Sequence, residues 1–319
     1  YQFDWMTSQV NMSNIQMVYI PNPARNLPIG ENPRFNCPLV ITLHDLAHEY
    51  TNSWGEHTSL IRDEIRTWCN SSSGIVFSSE WVRRKAIELY QIPFHKTYLV
   101  YLAPAIPTVL PGPIDLNFIH AKYNLPAGYA LCLGAAAPHK GHLTILQAFA
   151  RLRLEHGIII PLVIAGPQTD KFIDEYHSNS HWAKVHQTIC DLRFTIGKDI
   201  FCLGFVPEND IPALYIESSM VVTATKSEAG LNSMIFDGMW YEKPIICSDI
   251  PQFVERLGVS GELAYLFDPD SNYELATQVL QTIQSPTSVK NMVSRSKKFV
   301  LGKSWMDVAY DYINIFQDV

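Results

Sequence analysis

Long apolar runs are missing. No stretch of the 319-residue chain reaches the roughly 18 residues that a spanning helix requires. Metal-finger spacing is missing too. Six cysteines stand at 37, 69, 132, 190, 202 and 247, with no CxxC pair and no Cys/His cluster at zinc spacing. Several sit inside apolar runs, as in "YALCLG" and "IICSD", and read as buried reduced thiols of a reducing compartment. A basic surplus is also lacking. The formal charge is -7, which argues against a general nucleic-acid binder but leaves room for a local basic pocket around one phosphorylated ligand. No secretory leader, internal repeat or low-complexity segment is read. The sequons at Asn11 and Asn70 therefore carry little weight. The chain reads as cytoplasmic, with peripheral membrane association left open and no bound metal or cofactor expected.

What is present is an ordinary globular composition, 47% hydrophobic and 17% charged. The length predicts two domains. From Pro38 onward, short apolar runs alternate with helical patterns: "PLVITLHD", "GIVFSS" and "TYLVYLAPAIP" read as strands, and "EWVRRKAIELYQI" as a helix. The first thirty-odd residues show little periodicity, and no strand is read there. Three prolines in "PTVLPGPIDLN" mark a linker near residues 107 to 116. A second series follows. "YALCLGAAA", "IIIPLVIAGP", "DIFCLGFV", "MVVTAT", "PIICSD" and "AYLFDP" read as strands. "GHLTILQAFARLR", "ENDIPALYIESS" and "SNYELATQVLQTIQ" read as helices. The expectation is α/β architecture: an N-terminal Rossmann-like domain over 1–110, a second over 115–302, and an amphipathic helix over 303–319 that packs back toward the first. Both domains are expected to be doubly wound, with ligands at the carboxyl ends of the strands.

Four clusters fall at such strand ends. His44-Asp45 is either a turn residue beside a helix-capping acid or a histidine that donates to a ligand oxygen. In "GAAAPHKGH", small residues from Gly134 allow a close turn. Lys140 then precedes a helix whose free N–H groups favour an anion, unless it is simply a solvated lysine. The GxxxxGK[ST] spacing of a Walker loop is absent. "GFVPENDIPALY" is a plain strand-to-helix turn, or an apolar wall around Val206 for a flat base. The fourth cluster is "TKSEAGLNSMIFDGMWYEKP". Gly230 permits a tight turn, and Asn232 or Ser233 caps the next helix. Asp237 falls where the helix dipole favours a carboxylate. Glu228 has no such structural reason, and a role on ligand hydroxyls suits it.

Taken in order, these motifs resemble the nucleotide-binding half of retaining GT-B glycosyltransferases of group 1, the family of sucrose synthase and many bacterial mannosyl- and glucosyltransferases. The resemblance covers residues 115 to 290 well and 36 to 105 more loosely. It implies a metal-independent hexosyltransferase with two domains facing a cleft. The donor is a nucleotide-sugar, UDP- or GDP-linked, and the acceptor a glycan or glycoconjugate, in polysaccharide biosynthesis. By position, Glu228 and His44 match residues beside the transferred sugar. Gly134 belongs to the strand-end turn. Lys140 matches the lysine on the diphosphate, and Val206 matches the base-contacting loop. Gly230, Leu231 and Asn232 match the turn on sugar and diphosphate. Asp237 matches the acid on the ribose. Three departures stand out. Ala135 replaces the family arginine. Nine positions rather than eight separate Glu228 from Asp237, about 100° more along a helix. The N-terminal domain also looks shortened, with neither its first strand nor its glycine-rich loop in evidence. The other reading of these departures is a non-catalytic nucleotide- or glycan-binding subunit that needs a partner chain.

Overall fold

The computed structural model describes residues 8–23, 35–50, 58–105, 116–174 and 179–319. Two compact units result. The first comprises residues 1–103, 228–231 and 303–319, and the second 104–227 and 232–302. The proline-rich stretch read as a linker lies almost wholly outside the described residues.

The first unit holds a parallel sheet of β1 (Val18–Ile20), β2 (Leu39–Leu43), β3 (Gly74–Phe77) and β4 (Thr97–Leu99), in the order β1-β2-β3-β4. A strand therefore precedes Pro38, although none was expected. Its three residues pair in register with Leu39–Ile41. Too short and too exposed to show a pattern in sequence, it is fixed by that pairing. Side chains alternate across the sheet. Leu39, Ile41, Leu43, Ile75 and Phe77 pack with Ile65 and Trp68 of the helix Thr58–Ser71 and with Val82 and Ala86 of the helix Glu80–Tyr90. Ser79 starts the latter, its hydroxyl accepting from the Val82 N–H at 3.1 Å. Val40 and Val76 point the other way. They meet Val308 and Ile315 of the helix Trp305–Asp318, which so covers the second face. Gly74 makes room for it: a Cβ there would stand 2.9 Å from the Val319 Cγ2.

The second unit holds β5 (Ala130–Leu133), β6 (Leu162–Ala165), β7 (Ile200–Cys202), β8 (Met220–Thr223), β9 (Ile245–Ser248) and β10 (Tyr265–Phe267). All pairings are parallel, in the order β10-β9-β8-β5-β6-β7. The winding reverses between β5 and β8, a doubly wound topology whose ligand crevice lies outside the carboxyl ends of those strands. One face buries Ile145, Leu146 and Phe149 of the helix His142–His156 with Leu275 and Val279 of Asn272–Gln284. The other receives the helix Ser233–Trp240, whose Gly238 lies so close that a Cβ would stand 2.5 Å from the Ile245 Cδ1. All six expected strands are present. Helices over Leu116–Tyr123, Ser180–Asp191, Pro251–Leu257 and Pro286–Leu301 add to those expected. The six cysteines are free thiols, four of them buried.

Candidate functional site

The loops after β5, β6 and β7 are stitched at their first residues. The Gly134 N–H donates to the Ala165 carbonyl at 2.8 Å, and the Gly166 N–H to the Gly204 carbonyl at 2.8 Å. Gly166 adopts φ 137°, and a Cβ on it would stand 2.2 Å from the Gly134 carbonyl oxygen. Only glycine tolerates both the angle and the approach. These strand ends form the floor of a cavity of about 460 Å³ within the second unit. Gly134, Val206 and Asp237, three of the residues singled out in the sequence, line it together. Tyr215, Trp240 and Tyr241 supply further walls. The rings of Tyr215 and Tyr241 stack at 5.3 Å and 12°.

Asp237 is the fifth residue of the helix Ser233–Trp240, past the first turn in which a helix dipole acts. Burial pushes its carboxyl up to about 6. The dipole therefore does not decide its charge, and among the described residues no donor offsets the burial. Asn232 lies four positions after Glu228, and five helical steps run from there to Asp237. Asn232 is the N-cap, its Oδ1 accepting from the Ile235 N–H at 3.1 Å.

Lys140 ends the short 3-10 turn Pro138–Lys140. Its side chain runs past Gly134, with Cδ 3.7 Å from where a Cβ would be. Gly141, at φ 68°, starts the helix His142–His156 beside the Ala224 carbonyl, 2.1 Å from its own would-be Cβ. That approach fixes the Lys140 turn against the end of β8. Next in sequence, His142 is wholly buried with neither ring nitrogen hydrogen-bonded among the described residues.

His44, Glu228, Gly230 and Leu231 belong to the first unit, apart from the cavity above. His44 follows β2, its Nδ1 3.4 Å from the Ser78 Oγ. Burial lowers its pKa, against the opposing pull of Asp45, so the ring is neutral near pH 7. Asp45 caps the next turn, accepting from the Ala47 N–H at 2.9 Å. Ser78 also donates to the Ala229 carbonyl at 3.4 Å, and a Cβ on Gly230 would stand 3.2 Å from the Ser78 carbonyl oxygen. Gly230 needs no positive φ; its small size serves this approach instead. Among the described residues no group of three or more His, Cys, Asp or Glu could hold a metal ion.

The sequence reading missed Tyr215, Trp240 and Tyr241, whose apolar spacing is that of ordinary core positions. It also assigned no role to Gly166, which stands at the end of the strand run "IIIPLVIAGP".

Comparison with known proteins decides the class. The family model for glycosyl transferases group 1 matches residues 117–299, more than half the chain. The chain belongs to the group 1 glycosyl transferases. It is 24% identical over 299 residues to the O-antigen chain mannosyltransferase B of Escherichia coli, covering 91% of this chain and 74% of the relative. A glycosyltransferase from Rickettsia africae superimposes with TM-score 0.73 at 16% identity, over 99% of this chain and 80% of its own. HepE of Anabaena, solved with UDP and glucose, gives TM-score 0.69 at 18% identity, over 88% of this chain and 71% of its own. The fold is GT-B. The protein is a glycosyltransferase that draws its sugar from a nucleotide-sugar donor. Among the described residues no helix is long and apolar enough to cross a membrane.

Proposed function

We propose that this group 1 glycosyltransferase is a retaining, metal-independent hexosyltransferase. It moves a sugar from a UDP- or GDP-sugar to a glycan or glycoconjugate acceptor in the biosynthesis of a polysaccharide. The observation that carries the donor assignment is Asp237: a half-buried carboxyl of raised pKa, on the wall of a nucleotide-sized cavity at the strand switch point. A carboxylate held in that environment gains from ligand hydroxyls that donate to it, and a ribose supplies two. Val206 and its neighbours form the apolar wall for the base. Lys140, with the N–H groups that open the following helix, balances the diphosphate. Glu228 serves the donor sugar, and the neutral His44 serves the transferred sugar on the acceptor side. The kinship to a mannosyltransferase that builds O-antigen chains supports a hexose and a glycan.

The test is incubation with UDP-, GDP- and ADP-sugars and measurement of released nucleotide and free sugar, alongside calorimetric binding of the nucleotides. Release with at least one donor is expected. Glu228→Ala is expected to abolish turnover while nucleotide affinity stays within about threefold, a shift of less than 1 kcal/mol. Full activity in that variant refutes the role of Glu228. Nucleotide binding without turnover, even with acceptor extracts present, points to a non-catalytic binding subunit instead.

A further inference from the structure

A second cavity, of about 320 Å³, lies within the first unit, and no role has been assigned to it. Tyr19, His44, Leu102, Trp305, Tyr312 and Phe316 line it. The helix Trp305–Asp318 supplies five of the eight lining residues, the aliphatic Val308 and Ala309 among them. Its walls are largely aromatic, and the polar tips of its two tyrosines are already engaged. The Thr42 Oγ1 bonds the Tyr19 hydroxyl at 2.9 Å and the Tyr312 hydroxyl at 2.8 Å. The rings of Tyr19, Tyr312 and Phe316 pack at 5.3 to 5.9 Å between centroids. The wall is therefore preorganised, and it presents ring faces and not hydroxyls. Trp305 is 49% exposed and Tyr19 38%, so these faces are open. The neutral imidazole of His44 and the indole N–H of Trp305 are polar groups on the lining.

An open aromatic face edged by a few neutral hydrogen-bonding groups suits one ligand chemistry. A pyranose ring has an apolar face of C–H bonds that stack on aromatic rings, and hydroxyls at its edge. A prenyl or acyl chain would make no use of His44. We infer that this cavity is an acceptor subsite: a pyranose of the acceptor glycan stacks on Trp305 and the Tyr19–Tyr312 wall with an edge hydroxyl toward His44. The inference rests on the glycosyltransferase reading and adds the helix Trp305–Asp318 to its acceptor side.

The test uses the full chain. Methyl α-D-mannopyranoside and α-1,3-mannobiose are titrated by saturation-transfer NMR and tryptophan fluorescence, with farnesol as the lipid-chain probe and UDP and GDP binding followed by calorimetry. The pyranosides are expected to saturate. Trp305→Ala is expected to weaken them about tenfold, and Trp305→Phe by no more than about threefold, with nucleotide binding and the circular dichroism spectrum unchanged. Equal pyranoside affinity in Trp305→Ala, no saturation by either pyranoside, or binding of farnesol alone overturns the subsite while leaving the donor reading intact. Failure of the wild-type chain to bind UDP and GDP overturns the donor reading, and this inference with it.

Discussion

His142 offers a quantitative test of the second unit's interior. It opens the helix His142–His156, is wholly buried, and packs edge-on against Phe172 at 4.9 Å between ring centroids. Burial, with smaller contributions from His181, Lys140 and His139, drives its pKa down to about 3 from 6.5. In the unfolded chain the ring takes a proton below pH 6.5, whereas in the folded protein it resists protonation until about pH 3. The stability tied to its neutral form is thus complete above pH 6.5 and is lost as pH falls from there toward 3. The loss is about 2 kcal/mol at pH 5 and on the order of 5 kcal/mol by pH 3. His142→Leu removes the titrating group and also two buried nitrogens without hydrogen-bond partners. The variant should therefore be no less stable than wild type at pH 7.5. Urea unfolding of both proteins at pH 7.5 and pH 5, followed by circular dichroism, isolates the effect. The stability difference should move in the variant's favour by about 2 kcal/mol between the two pH values. Other titrating groups cancel in this double difference. If both proteins lose stability in parallel, the ring is already protonated or solvated in the fold, and the reasoning fails.

Gly166→Ala should unfold the strand-end floor, since its Cβ would meet the Gly134 carbonyl at 2.2 Å in a backbone region closed to alanine. A loss of about 3 kcal/mol or more is expected in thermal unfolding, together with loss of nucleotide binding. Asp237→Asn should weaken UDP or GDP binding by about tenfold at pH 7.5 by calorimetry. In wild type, affinity should fall as pH drops through about 6 and the carboxyl takes a proton, while the Asn variant stays flat over that range. A matching fall in the variant would remove Asp237 from the ribose assignment.

Much of the second unit was legible because its strands are buried on both faces. "ALCL", "LVIA", "MVVT" and "IICS" are unbroken apolar runs between polar turns, and each became a strand. β1 was not legible: three residues with half-exposed side chains carry no period, and only pairing with β2 makes them a strand. The helix Ser180–Asp191 carries its stripe on Trp182, Val185 and Ile189, but the polar residues between them dilute the pattern. Of the site, residues at strand ends could be found because turn chemistry marks those positions. Tyr215 and Trp240 could not. A residue at helical spacing reads as core whether it faces a sheet or a cavity, and only the fold distinguishes the two. The register of Asp237 was likewise open, because a residue count does not say where the loop ends and the helix begins. Asn232 settles that point by capping.

The helix Trp305–Asp318 covers the second face of the first unit's sheet, yet it is made last among the described elements. During synthesis Val40 and Val76 are in place long before Val308 and Ile315 exist. The second unit, whose sheet and covering helices are contiguous in sequence apart from one loop, can close in the meantime. The chain therefore completes its domains in the reverse of the order in which it begins them, and the earlier sheet waits on the ribosome with one apolar face open. For expression, the vulnerable interval is set by the time taken to translate the whole second unit. Slowing translation within residues 116–302 lengthens that exposure without altering a single contact in the finished protein.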